Sequence, residues 1–437
     1  MSDTYKILQF IRTKFSKHLY SVKLATSNLH LTYCTNIHPG ETWSEVESNL
    51  KQYLPQLKAR LSPNQAFGIG LRLANPATKE LLAGDNLIRF QSWLQQEDLY
   101  VFTLNGFPYG GFHHQVVKDK VYAPDWSTSE RLDYTLRLIE ILTALLPANL
   151  DGGISTLPIS YKPWWRNDED KQRILHQGSL NLVQAIVKLA QVYQDTGKLI
   201  HIDLEPEPDG MLENTTEIID FFQDWLLPIA GKWLQRLGVD SATADYWITQ
   251  HIRVCYDTCH FAVEYEEPED IIRRFKDAGI KIGKIQLSSA IKIDIPTGKA
   301  ERQAVLDKLS PFAESTYLHQ VIARHEEGFK HYPDLSIALQ DLLTTDAQQW
   351  RTHFHVPIFI PKYQLFESTQ DHIVKLLQML PDDAIANHLE IETYTWEVLP
   401  SEMKLDILTS IEREYQWVLS VNSYAKRYPL GQQSTVM

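Results

Sequence analysis

Short apolar, β-branched or aromatic runs recur along the chain, and stretches of helical periodicity lie between them. The runs are Leu29–Thr35, Phe67–Leu73, Leu99–Leu104, Gly153–Ile159, Leu199–Leu204, Ile252–Tyr256, Ile280–Leu287, His353–Ile360 and Ala386–Thr393. Between them, Arg131–Leu146 and Leu180–Thr196 carry the i, i+3, i+4, i+7 apolar stripe of a helix packed on one face. Strands alternating with helices predict a parallel sheet with helices outside it. Eight such units close into an α/β fold, the (β/α)₈ barrel, and 437 residues suit a barrel core of about 250 residues with insertions. The rival fold, an open doubly wound sheet, calls for a glycine-rich phosphate loop after a strand. Neither G-x-G-x-x-G nor G-x-x-x-x-G-K-[ST] occurs. Nine runs are one too many for the barrel. We assign His353–Ile360 to an insertion, about 290–365, between the seventh and eighth barrel strands. The expectation is one barrel domain over residues 1–420 and a loose polar tail over 421–437.

Composition bounds the function. Apolar residues are 43% and charged residues 22%, values of a globular protein. No run of 18 apolar residues is present, so no membrane insertion is expected. Thr4–Tyr20 lacks the apolar core and cleavage site of a secretory signal and reads as a short amphipathic helix. Three cysteines, Cys34, Cys255 and Cys259, argue against a disulfide framework and for a reducing cytoplasm. A net charge of −13 argues against a nucleic-acid partner.

In a barrel the C-terminal ends of the strands face the active site. The fifth strand ends in L-E-P-E-P-D-G, which puts Glu205 on the rim; Glu207 is a weaker candidate. The sixth ends in C-Y-D-T-C-H, where Asp257 and His260 are spaced to meet one ion or substrate oxygen, unless Asp257 only caps the next helix. Gln286 lies at the end of the seventh strand. In the last strand, H-L-E-I-E-T, alternation turns Glu390 and Glu392 to the face opposite Leu389 and Ile391. Glu392 is the better ligand, and Glu390 suits an internal ion pair. Oxygen ligands of this kind favour Mn²⁺ or Mg²⁺, whereas imidazole favours Zn²⁺.

With those residues in place, the chain resembles the xylose-isomerase-like TIM-barrel superfamily, which includes sugar isomerases, ketose epimerases and an apurinic endonuclease. Within it, the segments L-N-G-F-P-Y-G-G-F-H, Y-A-P-D-W, L-H-Q-V-I-A-R-H-E-E-G, H-F-H-V-P-I-F and H-L-E-I-E-T-Y-T-W resemble proteins of metabolite traffic and span most of the chain. The resemblance implies that Glu205, Asp257, Gln286 and Glu392 occupy four metal positions. The departure is Gln286, where the superfamily usually has His. Manganese is the expected ion, with Mg²⁺, Zn²⁺, Co²⁺ or Fe²⁺ as alternatives.

Substrate contacts are expected from His260, Asn105, Tyr109, His113, His355 and Trp396. Phe107, Tyr394, Trp164 and Trp165 are further candidates for ring stacking, Arg324–His325 for an anion and His38 for the mouth. His353 and His355, two apart, suit either a second metal site like the endonuclease's or a packed structural role. Three functions follow from the resemblance. The first is a metal-dependent isomerase or epimerase of a sugar, sugar phosphate or cyclitol, with Glu205 and Glu392 carrying the proton. The second is a metabolite-binding barrel without turnover. The third is a metal-dependent phosphoesterase or nuclease. The implied partners are a polyol or sugar, a membrane prenyltransferase in the same pathway, and other copies of the chain.

Overall fold

The computed structural model describes residues 29–427 apart from 114, 381–384, 398 and 400–405. The expected helix at Thr4–Tyr20 lies outside them. Seven strands come first: β1 His30–Tyr33, β2 Phe67–Arg72, β3 Leu99–Asn105, β4 Gly152–Thr156, β5 Ile200–Leu204, β6 Ile252–Asp257 and β7 Ile282–Leu287. An insertion then carries β8 Ile291–Asp294, β9 Val321–His325, β10 Gly328–Tyr332, β11 Gln349–Thr352, β12 Lys362–Tyr363 and β13 Phe366–Ser368. The barrel resumes with β14 His388–Ile391. The parallel sheet has the order β1-β14-β7-β6-β5-β4-β3-β2. Its ends meet through a parallel bridge between Cys34 and Gly70. Threonine side chains complete that seam. Thr32 Oγ1 accepts from Gly70 N at 2.8 Å and Thr35 Oγ1 from Arg72 N at 2.9 Å. The sheet therefore closes into the eight-stranded barrel that the alternation predicts.

Helices cover the outside as the sequence periodicity demands. Trp43–Leu61 starts at a capping box between Thr42 and Glu45 and buries Val46, Leu50, Leu54 and Leu57. Asp168–Thr196 begins at the Asn167 cap and stops at Gly197, whose φ of 72° is the left-handed conformation that glycine adopts freely. The last helix, Ile407–Arg427, runs past residue 421, so the chain is still helical where a loose tail was expected.

The barrel interior is polar. Alternation turns His201 and Asp203 of β5, Lys284 and Gln286 of β7, and His388 and Glu390 of β14 into buried positions. Lys284 Nζ lies 2.7 Å from Glu390 Oε2, and His201 Nδ1 lies 2.6 Å from Asp203 Oδ1. Burial alone would lower the Lys284 pKa. Glu390, Cys255 and Cys34 outweigh it and hold the value above the usual lysine range. Glycines make the room: a methyl at Gly283 would collide with Asp203, and one at Gly70 with Glu390.

The insertion differs from expectation. Rather than one extra strand at His353–Ile360, it holds a six-stranded antiparallel sheet in the order β10-β9-β11-β8-β13-β12. The strand nearest the expected one is Gln349–Thr352, and His353–Ile360 has left the ladder. Pro357 has no donor to give a strand, and Val356 N bonds instead to Ser289 O at 2.9 Å.

The buried ion pair yields a test. Lys284→Met leaves Glu390 without its counter-charge and should cost about 3–5 kcal/mol. Lys284→Met combined with Glu390→Leu should recover most of the loss. Equilibrium denaturant unfolding of the single and double variants measures both.

Candidate metal centre

Glu205, Asp257 and Glu392 come from the ends of β5, β6 and β14. Each offers an oxygen, and the three oxygens lie within 4.8 Å of one another in a buried setting. Asp257 Oδ1 accepts from Cys259 N at 2.8 Å, His260 N at 3.1 Å and Ser288 Oγ at 2.5 Å. Its other oxygen is buried with no hydrogen-bond partner, as is Glu205 Oε2. Glu392 Oε1 accepts from Asn36 at 2.9 Å and Asn105 at 2.8 Å.

Burial, then Glu392 and Asp257, push the Glu205 carboxyl well above the usual range; burial, then Asp257 and Glu390, do the same to Glu392. Burial would raise Asp257 too, but His260, His355 and the Ser288 hydroxyl bring it below the usual range. Three carboxylates this close cannot all stay ionised in a buried site without a counter-charge. The unsatisfied oxygens and the donor set therefore fit a divalent cation. Gln286 stands in register beside Asp257 on β7. Its Oε1 accepts from Cys255 Sγ at 3.1 Å, and its Nε2 is buried without a partner. Turning the amide over would exchange those two atoms.

An imidazole group adjoins the carboxylates. Asp257, His260 and His355 form a second set of possible ligands, and Glu207, His260 and His353 a third. Each imidazole Nδ1 meets a fixed acceptor: His260 Pro206 O at 2.8 Å, His353 Gln320 Oε1 at 2.9 Å and His355 Glu392 O at 2.6 Å. That leaves each Nε2 with its lone pair available, the arrangement in which a second acceptor orients a metal-binding histidine. Nε2 of His353 and of His355 is buried with no partner. Burial pushes all three imidazoles down, His355 to about 4. Glu207 is pushed up to about 8 by burial, which outweighs the opposing influence of the nearby Tyr122 hydroxyl.

A cavity of about 60 Å³ stands over this floor and opens to the barrel mouth. Among the residues expected from sequence, Glu205, Glu392, His260, His353, His355, Asn105, Phe107 and Tyr394 line it, and so does Glu207. Asn105 holds Glu392. Tyr109, His113 and Trp396 do not line the cavity. Tyr109 packs on Tyr134 with ring centroids 5.1 Å apart, and His113 on Phe112 at the same separation. Trp396 is buried outside it. Trp164 and Trp165 donate to Asp119 and Ser160, His38 bonds to Tyr33, and His325 pairs with Asp346. Residues that sequence reasoning passed over are Asn36, Gln320, Phe112, Tyr122 and Tyr317.

No family model matches the chain, and no curated protein matches it. Among solved structures it is similar to a D-tagatose 3-epimerase-like protein, at 9% identity over 90% of this chain and 98% of that one, with a TM-score of 0.47. It is similar to the IOLI protein with a bound zinc atom, at 11% identity over 90% and 98%, with a TM-score of 0.44. A xylose isomerase-like TIM-barrel protein from Mycobacterium smegmatis in complex with magnesium gives 10% identity over 93% and 99%, and 0.45. All three scores are below 0.5, so the barrel assignment rests on the strand order and register above.

Glu414, on the last helix, braces the centre from behind. Its Oε1 accepts from Thr393 Oγ1 at 2.6 Å and from Ile358 N at 3.3 Å. Burial raises this carboxyl from 4.5 to about 8. The folded protein therefore holds a proton that the unfolded chain releases, so stability falls as pH rises from about 4.5 to 8 and then levels. Glu414→Gln keeps a neutral acceptor there. It should be more stable than the parent at pH 8.5, by about 3–5 kcal/mol, and close to it at pH 4.5. Denaturant midpoints at the two pH values read this out.

Proposed function

We propose that this chain is a divalent-metal-dependent isomerase or epimerase that moves a proton next to the carbonyl of a small polyhydroxylated molecule. The observation that carries the reading is the convergence of Glu205, Asp257 and Glu392 in a buried group at the foot of the cavity, two of them with oxygens that have no hydrogen-bond partner. Glu205, Asp257, Glu392 and, with its amide turned, Gln286 would hold the ion, Mn²⁺ by its preference for oxygen. When bound, the ion polarises a carbonyl and stabilises the enediolate. Glu205 takes the proton from the carbon beside the carbonyl, and Glu392 returns one. Return to the former carbonyl carbon, with the hydroxyl proton passing from one oxygen to the other, gives isomerisation, and return to the opposite face of the same carbon gives epimerisation. Asn36 and Asn105 fix the Glu392 carboxylate for that transfer.

The sequence resemblance to the metabolite-traffic protein EboE supports placing the reaction in the making or export of a secondary metabolite in the cytoplasm, beside a membrane prenyltransferase. The resemblance to the superfamily also supports assembly of several copies. The alternative on the same resemblance is a barrel that binds its metabolite without turning it over. The imidazole set favours a further reading, hydrolysis of a phosphoester. His260, His353 and His355 with Asp257 or Glu207 suit a second, zinc-like ion beside the first, an arrangement that serves in-line displacement.

Elemental mass spectrometry and solvent exchange separate these. About one ion per chain, lost in Asp257→Ala, is expected. In deuterated water with ketoses or ketocyclitols, the parent should incorporate deuterium at carbon. Glu205→Gln and Glu392→Gln should retain metal yet exchange at least about 10²-fold more slowly. Unimpaired exchange in either variant would rule out the proton-transfer assignment. Metal uptake without any exchange would leave the binding barrel, and two ions per chain with phosphodiester cleavage would select the hydrolase.

A further inference from the structure

The cavity has two chemically distinct halves. Its floor is the carboxylate and imidazole group. Its wall is apolar, built from Phe107, Phe112, Val117, Tyr317, Leu318 and Tyr394. The rings of Phe112, Tyr317 and Tyr394 form a mutual cluster, with centroids 5.3 Å apart for Phe112 with either tyrosine and 5.1 Å for the tyrosine pair. The Tyr317 hydroxyl donates to Phe112 O at 3.2 Å, so it braces the wall. Tyr394 also packs on His355, centroids 4.6 Å apart, which brings the wall down to the floor.

The charges are one-sided. Among the described residues lining the cavity, Lys118 is the one cationic side chain beside the imidazoles. Its Nζ is 2.6 Å from Asp334 Oδ2 and 3.3 Å from Glu314 O. Arg72, whose guanidinium stands over the Phe112 ring, is held by the Glu41 carboxylate. The helix N-terminus at Thr258 is already capped by Asp257. Against these stand the carboxylates of Glu205, Asp257 and Glu392, with the Glu207 carboxyl beside them. One divalent cation would balance only part of that charge. A phosphoryl group is ordinarily met by Arg or Lys donors or by an open helix N-terminus. Here each such group already has a partner.

The geometry points to an uncharged substrate, a hydroxy-carbonyl or vicinal-diol head seated on the carboxylate floor and carrying an apolar substituent that packs against Phe112, Tyr317 and Tyr394, in preference to a phosphorylated sugar. This deepens the proposed function and rests on its metal centre.

Three chelators that share one hydroxamate head test it on the manganese-loaded protein: acetohydroxamate, benzohydroxamate and phosphonoacetohydroxamate, titrated by calorimetry. Benzohydroxamate should bind about tenfold or more tighter than acetohydroxamate, because its ring leaves water for the aromatic wall. Phosphonoacetohydroxamate should bind no tighter than acetohydroxamate. In Phe112→Ala and in Tyr394→Leu the benzohydroxamate advantage should shrink to less than about threefold, while acetohydroxamate affinity reports that the floor is intact. Equal binding of the acetyl and benzoyl compounds, or tightest binding of the phosphono compound, would overturn the proposal. A protein that takes up no manganese, or takes it up and binds none of the three, would remove the metal-centre reading and this proposal with it.

Discussion

The Lys284–Glu390 pair sets the frame for the rest of the barrel. A lysine and a glutamate in a fully buried interior are tolerable only together, at 2.7 Å. Their pairing decides which faces of β7 and β14 turn inward. Because successive side chains alternate, the residues two further along each strand then turn inward as well. On β7 that residue is Gln286, and on β14 the same step leads to Glu392. The ion pair in the middle of the barrel and the candidate ligands at its mouth are thus one register, read at two heights. The glycines at positions 70 and 283 belong to the same arrangement, since any side chain there would displace Glu390 or Asp203.

Above that layer the site divides its work between two kinds of donor. The carboxylates of Glu205, Asp257 and Glu392 supply negative charge that burial makes hard to keep. The imidazoles of His260, His353 and His355 supply neutral lone pairs, because each Nδ1 is committed to a fixed acceptor. Two of those acceptors depend on the proline-rich turn after β5. Pro206 presents its carbonyl to His260, and Pro208 presents its own to Gln320 Nε2 at 2.9 Å, which in turn holds His353. A turn that interrupts the ladder by lacking N–H groups thereby frees carbonyls to orient the histidines.

The eight barrel strands were legible because each is a short run rich in apolar, β-branched or aromatic residues, with helical periodicity between the runs. The strand-end carboxylates were legible by position: an ionisable residue just past such a run has few places to be but the mouth. The insertion sheet was not, because its strands are two to five residues long and carry exposed or charged positions, as in Gly328–Tyr332. Asn36 and Gln320 gave no signal in the sequence, since each acts through a hydrogen bond to a side chain distant in the chain, Glu392 and His353. Tyr109, His113 and Trp396 carry side chains suited to substrate contact, but the loop path that turns them from the cavity is set by packing against Tyr134, Phe112 and the core. Glu207 reads as a weaker candidate because its two flanking prolines mark the end of a strand; in the fold the same turn places it on the cavity lining.

One consequence of the sheet order concerns synthesis of the chain. The strand that completes the barrel, β14, sits between β1 and β7, the first and seventh to be made. Until residues 388–391 leave the ribosome, the cylinder is an open ribbon with two unsatisfied edges. Lys284 waits more than a hundred residues for its counter-charge, and the carboxylate floor lacks its third member. The whole insertion is translated within that interval. Closure of the barrel, neutralisation of its interior and completion of the candidate centre therefore become a single late event, and a nascent chain halted before that point has none of the three.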